Sequence, residues 1–442
     1  VPPKRAAVAA RPSWGQRVKQ VGAVVIAAVR PIIGLFARTE RRGPVDPVLA
    51  AIAIALMGFG VVMVYSASVI EAAVVYRNPQ YFLARQATYA AVGLTLMLLM
   101  ARVDYHKLRP FTYPFLAFVV GLLSLSVLGF GHSGGGAARW LKLGPINIQP
   151  SELAKVALIL WLAYSLDKKQ DKVKTFWVGV LPHLIIAGGM MLLCLKQPDF
   201  GGAVVLLTLT FTMLFVAGAR LHWLVMASMV GSIGAYWLVR FRAYRWERMM
   251  AWLDMDAHRQ DLAYQPFQSV MSFGSGEVWG MGLGHGLQVL YLPEAHTDFI
   301  SAIIGEELGF VGILLLCTAY LVVVVRGVRT ALLAEDDYGS HIAFGISVLF
   351  GLQALLNMGV AMAILPTKGL TLPFISYGGS SLMVSCLAMG VLLNVSRARI
   401  PGVLRKPADG PEPEASVLMA SEAKYADSAL CGAPSARAEG RR

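Results

Sequence analysis

The chain has 442 residues, of which 56% are hydrophobic and 15% charged, and its mean hydropathy is +0.60. That balance lies outside the range of soluble globular domains and marks a polytopic membrane protein. The net charge of +13 comes with no nucleic-acid motif, so it reads as a topology and lipid-surface signal, and membrane lipids rather than nucleic acid are the expected contacts.

Residues 1–45 form a basic arm carrying Lys4, Arg5, Arg11, Arg17, Lys19, Arg30, Arg38, Arg41 and Arg42. Its apolar stretch from 21 to 36 is broken by Arg30 and Pro31, which suits an arm or a surface-lying helix better than a span. Ten apolar runs follow, near 46–66, 83–101, 111–130, 152–166, 176–195, 201–217, 219–239, 300–325, 341–364 and 380–396. As helices they suit a hydrocarbon core of ~30 Å. The fourth and sixth are short and flanked by Gly, Pro or polar residues. Basic residues collect in alternate loops, at Arg102–Arg109, Lys168–Lys174, Arg220, Arg326 and Arg329. By the positive-inside rule these loops and both termini are cytoplasmic.

The longest outward loop, 240–299, separates the seventh and eighth runs. Loops beyond about 15 residues are usually functional or disordered, and Trp246, Trp252, Tyr264, Phe267, Phe273 and Trp279 argue for order at the membrane interface. Its glycine-dense half, 274–286, allows the backbone to approach a ligand, or forms a lid packed on the membrane surface. No strand precedes it and no βαβ helix follows, which excludes a nucleotide-binding loop. Cys194, Cys317 and Cys386 lie in apolar runs and Cys431 in the tail, so no disulfide framework is expected. From 401 to 442 the chain is aperiodic and rich in Ala, Glu, Pro, Ser and Gly, as a disordered cytoplasmic tail would be. The expected architecture is an all-α polytopic membrane domain, 46–400, of about ten transmembrane helices.

Polar residues bunch beside the outward ends of the spans. They are Arg139 and Lys142 with Gln149-Pro150-Ser151-Glu152, then Gln197-Pro198-Asp199, then Pro293 to Asp298, then Leu365 to Thr371 with Ser376 to Ser381. Breaks at Pro and Gly there suit irregular backbone lining a cavity. Glu152 and Lys155 share a helix face, either as a neutralised pair or as substrate contacts. Asp298 is the candidate general base, a carboxylate at the membrane surface between His296-Thr297 and apolar Phe299-Ile300. On a continuous helix Glu306 would stand ~12 Å from it, too far for a paired-carboxylate glycosidase. Thr297 would fall near the N-cap of the eighth helix and Asp298 in its first turn, where the helix dipole keeps an acid ionised.

The segments Pro293-Glu294-Ala295-His296-Thr297-Asp298-Phe299, Gly305-Glu306-Glu307-Leu308-Gly309, Gln149-Pro150-Ser151-Glu152-Leu153, Gln197-Pro198-Asp199 and Leu365 to Thr371 with Gly379-Ser380-Ser381 together closely resemble the SEDS family of bacterial peptidoglycan polymerases. The resemblance covers about 46–400, and Ala295 with Thr367-Lys368-Gly369-Leu370-Thr371 is similar to the division-type rather than the elongation-type branch. At Gly284 to Leu290 the chain departs from the pattern, so no substrate role is carried over to that stretch. The resemblance implies a glycosyltransferase that polymerises lipid II into glycan strands at the outer face of the bacterial inner membrane, at the division septum. In that reaction Asp298 takes the proton of the attacking sugar hydroxyl and a polyprenyl pyrophosphate leaves.

Substrate-binding residues would come from Arg139, Lys142, Glu152, Lys155, Gln197, Asp199, Glu294, His296, Thr297, Lys368, Ser376, Tyr377, Gly378, Gly379 and Ser380. The cations of that set are the candidates for holding the pyrophosphate, and a divalent ion, Mg or Mn, stays open as a cofactor. The implied partners are the nascent glycan strand, a cognate penicillin-binding transpeptidase and other division proteins. Ten spans with broken helices also suit a lipid-precursor flippase, and the terminal segments suit a non-catalytic division scaffold.

Overall fold

The computed structural model describes residues 43–397 except 135, 136, 144, 145, 242 and 368. The arm up to residue 42 and the tail from 398, with the surface helix and the disorder expected there, lie outside the described residues. Among the described residues twelve α-helices are formed. They are α1 (Pro47–Val75), α2 (Tyr81–Arg102), α3 (Thr112–Leu125), α4 (Pro150–Lys168), α5 (Leu181–Lys196), α6 (Phe200–Val216), α7 (Leu221–Arg240), α8 (Ala243–Leu253), α9 (Tyr264–Gly276), α10 (Ile300–Leu332), α11 (Asp337–Ala361) and α12 (Gly379–Arg397).

Ten of these helices, all but α8 and α9, fall on the ten apolar runs, which makes the chain an all-α multi-pass membrane protein. Among the described residues seven are long and apolar enough by themselves to cross a membrane: α1, α2, α3 continued to Gly129, α5 with its lead-in from Phe176, α10, α11 and α12. The α6 helix falls short at 17 residues, and α4 carries Glu152, Lys155, Asp167 and Lys168. Two helices outrun their expected ends, α1 to Val75 and α10 to Leu332.

The centre of the bundle is α12, buried over 83% of its most apolar window, whereas the corresponding window of α10 is buried over 28%, its buried residues being concentrated in the first turns from Ile300 to Glu307. Small residues let α2 approach α12. A Cβ on Gly93 would stand 2.9 Å from Cys386 Sγ, and one on Gly390 would stand 2.5 Å from the Met97 carbonyl. In lipid such close packing replaces the hydrophobic drive that joins helices in water. At the end bearing the basic loops, Asp336 ties the loop after α2 to the start of α11, accepting from the Tyr105 hydroxyl at 2.6 Å and from Arg109 at 2.7 Å.

Two segments between the spans have structure that apolar periodicity did not announce. Strands β1 (His132–Gly134), β2 (Ala137–Leu143) and β3 (Ile146–Ile148) form an antiparallel sheet in the order β1-β2-β3, with Leu141 opposite Ile148 and Leu143 opposite Ile146. The long loop carries α8 and α9, and both are pinned to the C-terminal end of α11. Trp252 Nε1 donates to the Ala363 carbonyl at 2.8 Å, and Ser269 Oγ donates to the Ala361 carbonyl at 2.6 Å.

Candidate active site

The site is built around the turn before α10. Glu294 has φ 59, a left-handed backbone that reverses the chain. Its carbonyl accepts from the amides of Thr297 and Asp298 at 3.2 Å and of Phe299 at 3.4 Å. The Thr297 hydroxyl donates to the Glu294 carboxylate at 2.8 Å. Helix α10 therefore begins only at Ile300, with Phe299 at the N-cap and no side-chain cap. Thr297 stabilises the turn instead of capping the helix, and Asp298 stands just outside the first turn.

Asn357 of α11, buried at 1% exposure, holds this turn against the segment that follows α11. Its Nδ2 donates to the Asp298 carbonyl at 2.8 Å and to the Leu370 carbonyl at 2.6 Å, while its Oδ1 accepts from Ser301 Oγ at 2.9 Å. The Asp298 carboxylate then lies directly against Gly369, where any Cβ would overlap Oδ2. A glycine is required there for close approach. The Asp298 side chain is partly exposed.

His296 points the other way, into the bundle. Its ring packs on Phe82 at 4.6 Å and on Tyr377 at 5.4 Å, and its carbonyl accepts from the Tyr377 amide at 2.9 Å. Its Nδ1 lies 3.5 Å from Glu71 but forms no hydrogen bond. Burial pushes the imidazole below its usual 6.5, and the charges of Glu71 and Glu294 oppose that shift. Ser376 Oγ accepts from the Leu372 amide at 2.8 Å, fixing the same segment internally. Gln86 of α2 donates to the Ser376 carbonyl at 3.4 Å. Gly379 leaves room for the Tyr89 ring, which a Cβ would meet at 2.7 Å, while Gly378 has only ordinary contacts.

Glu152 and Lys155 meet at 2.6 Å, with side-chain exposures of 8% and 1%. Ser381 reaches Glu152 at 3.4 Å and Thr371 at 2.7 Å, and Ser380 accepts from the Gln149 amide at 3.3 Å, so the starts of α4 and α12 are joined. Asp199 caps α6 through the Gly202 amide at 2.9 Å, and Leu370 packs on the adjacent Gly201. Gln197 donates to the Leu123 carbonyl at 2.8 Å, tying α5 to α3.

The structure thus brings 293–298, 369–381 and the Glu152–Lys155 pair together. Lys142 is an exposed residue of β2, and Lys368 and the side chain of Arg139 lie outside the described residues. Sequence reasoning missed Asn357, Gln86 and Arg85. The available signal was a polar residue within an apolar run, which is costly in a membrane without a partner or a role. Among the described residues no three His, Cys, Asp or Glu side chains converge.

In the glycine-dense half of the long loop Gly276, Gly280 and Gly286 pack closely on protein, whereas Gly274 and Gly284 border open space. A Cβ at Gly276 would overlap the Gly305 carbonyl, and one at Gly280 would overlap that of Glu307. The amides of Met281 and Gly282 donate to the carbonyls of Glu306 and Glu307 at 3.0 and 2.9 Å. Gly309, with φ 66, kinks α10 at this seam. The fully buried Glu306 carboxylate accepts from the amides of Leu287 at 2.8 Å and Gln288 at 3.0 Å. Close backbone packing is what Gly276, Gly280 and Gly309 serve.

Comparison with known proteins agrees with this architecture. Residues 47–400 match the FtsW/RodA/SpoVE family of cell cycle proteins. A probable peptidoglycan glycosyltransferase FtsW of Geobacter sulfurreducens is 46% identical over 353 residues, covering 79% of this chain and 95% of that one. Another of the same name, from Idiomarina loihiensis, is 41% identical over 359 residues, covering 80% and 87%. A solved peptidoglycan synthase complex that coordinates polymerisation and crosslinking contains a chain matching with TM-score 0.67 and 30% identity, covering 81% of this chain and 99% of that one. The rod shape determining protein RodA of Thermus thermophilus matches with TM-score 0.60 and 29% identity, covering 80% and 97%. With the family's match spanning most of its length, this chain belongs to the FtsW/RodA/SpoVE cell cycle protein family, on its division-type side.

Proposed function

We propose that the protein is a peptidoglycan glycosyltransferase that extends glycan strands from lipid II at the outer membrane face, with Asp298 as its general base. The observation that carries this reading is the placement of Asp298. Its carboxylate is solvent-reachable, pressed on Gly369, and its turn is stapled by Asn357 to a second loop. A base held by rigid neighbours at a water-facing surface suits abstraction of a proton from an incoming sugar hydroxyl. The 4-hydroxyl of one saccharide attacks the anomeric carbon of the lipid-linked unit, the bond to the polyprenyl pyrophosphate breaks with inversion, and the proton passes to Asp298. His296 and Thr297 hold the turn from below and within. The Glu152–Lys155 pair, joined to Ser381, keeps the starts of α4 and α12 in register.

The names of the relatives support the same chemistry, and the synthase complex among the structural neighbours supports a transpeptidase partner. Placement at the septum with both termini in the cytoplasm completes the reading. In it the arm and tail serve as docking segments flanking the membrane domain. The test is polymerisation of lipid II by the purified full-length chain with its partner in detergent, where there is no compartment to cross. The wild type forms glycan strands and Asp298→Asn does not. A wild type that binds lipid II but forms no strands, or strands formed equally by both proteins, contradicts the proposal.

A further inference from the structure

The cations expected to meet a pyrophosphate are unevenly placed. Lys155 is neutralised by Glu152 and buried, and Lys142 sits exposed on β2. A cation that the sequence did not single out lies against the site itself. Arg85, in the outer part of α2, has its guanidinium carbon 4.7 Å from the centre of the Tyr81 ring. Tyr81 is stacked on Tyr76 at 3.9 Å with their planes within 8°. The Tyr377 hydroxyl hydrogen-bonds the same guanidinium. Tyr377 in turn is fixed by the bond from its amide to the His296 carbonyl, two residues before Asp298, and Gln86 clamps α2 to the adjoining carbonyls.

Arg85 is nonetheless exposed, and among the described residues it has no carboxylate partner. Its neighbours are a ring face and one hydroxyl, fewer acceptors than its five N–H donors can serve. A guanidinium fixed in this way loses little freedom when it binds, and its fork matches two phosphate oxygens. The neighbouring acids Asp298, Glu294 and Glu71 would repel a doubly charged leaving group that met no cation.

We infer that Arg85, oriented by Tyr81 and Tyr377, binds the pyrophosphate of the lipid-linked donor and neutralises it as the glycosidic bond breaks. The inference rests on the polymerase reading and names the group that holds its leaving anion. A carboxylate of the substrate's stem peptide would offer similar chemistry, so the test separates the two.

Binding is measured on the full-length chain in the Asp298→Asn background, so that turnover does not consume ligand. Farnesyl pyrophosphate is the probe and farnesyl monophosphate the reference. Arg85→Gln is expected to weaken pyrophosphate binding about tenfold or more and monophosphate binding much less, with Arg85→Lys recovering part of the loss. Tyr377→Phe keeps the ring packing while freeing the fork, and weakens pyrophosphate binding about threefold. Equal pyrophosphate affinity in Arg85→Gln and its parent overturns the inference. So does a loss seen only with peptide-bearing lipid II and absent with the probe, which reassigns Arg85 to the stem peptide. Strand formation by the wild type is followed in parallel. If it persists while Arg85 proves irrelevant to the probe, only this inference fails; if the wild type forms no strands, the polymerase reading fails.

Discussion

Asp298 depends on two neighbours that do no chemistry. Asn357 supplies two donors to carbonyls of separate loops, and removing it leaves two buried acceptors without partners, each costing about 1–3 kcal/mol. Gly369 supplies only the absence of a side chain. Gly369→Ala forces the carboxylate aside, and a misplacement of about 1 Å lowers turnover on the order of a hundredfold. Asn357→Leu is expected to lower turnover similarly and to lower the unfolding temperature as well, whereas Gly369→Ala leaves that temperature nearly unchanged. Steady-state rates with thermal unfolding in detergent distinguish these effects. His296 gives a pH signature. Because burial holds its folded pKa below 6.5, the unfolded chain binds more protons as pH falls through that value. Stability is therefore full above about 6.5 and declines on acidification towards the folded pKa, with a slope of at most about 1.4 kcal/mol per pH unit. His296→Gln should flatten the unfolding temperature between roughly pH 7.5 and 5.5.

Among the elements, the long loop and α10 form one mechanical unit. The Glu306 carboxylate, in the second turn of α10, binds two amides of the segment leading into the Asp298 turn. Glu306→Ala strands those amides. Faster hydrogen exchange over 285–299 and reduced strand synthesis are expected while α12 stays protected; unchanged exchange there would disprove the clamp. The spans were legible in the sequence because long apolar runs dictate membrane helices, and so were the motif segments, whose polar residues sit beside helix ends. The seam at Gly309 was not legible, since glycines that admit a ligand and glycines that admit another backbone look alike in a sequence. The sheet at 132–148 was hidden by two strands of only three residues. Arg85 and Gln86 were hidden inside a run that reads simply as a span, as was Asn357. The partners of Gln86 lie 289 or more residues away, and Asn357 reaches the start of α10 and the segment beyond the end of its own helix, outside any local pattern.

At the scale of the molecule, a bundle closed at one end by Asp336 and its partners presents its polar segments at the other. The orientation is tested with membrane-impermeant maleimide on intact cells in a Cys431→Ser background. A cysteine at Tyr291 should label from outside, and one at exposed Lys172 only after lysis. The reverse pattern would place the site in the cytoplasm and end the account. The central claim is chemical and has a more direct test: single-turnover transfer from lipid II, with donor binding measured on the same samples. Asp298→Asn should bind the donor as the wild type does and transfer it about 10²- to 10⁴-fold more slowly. Transfer at the wild-type rate by Asp298→Asn, with donor bound, would contradict the account.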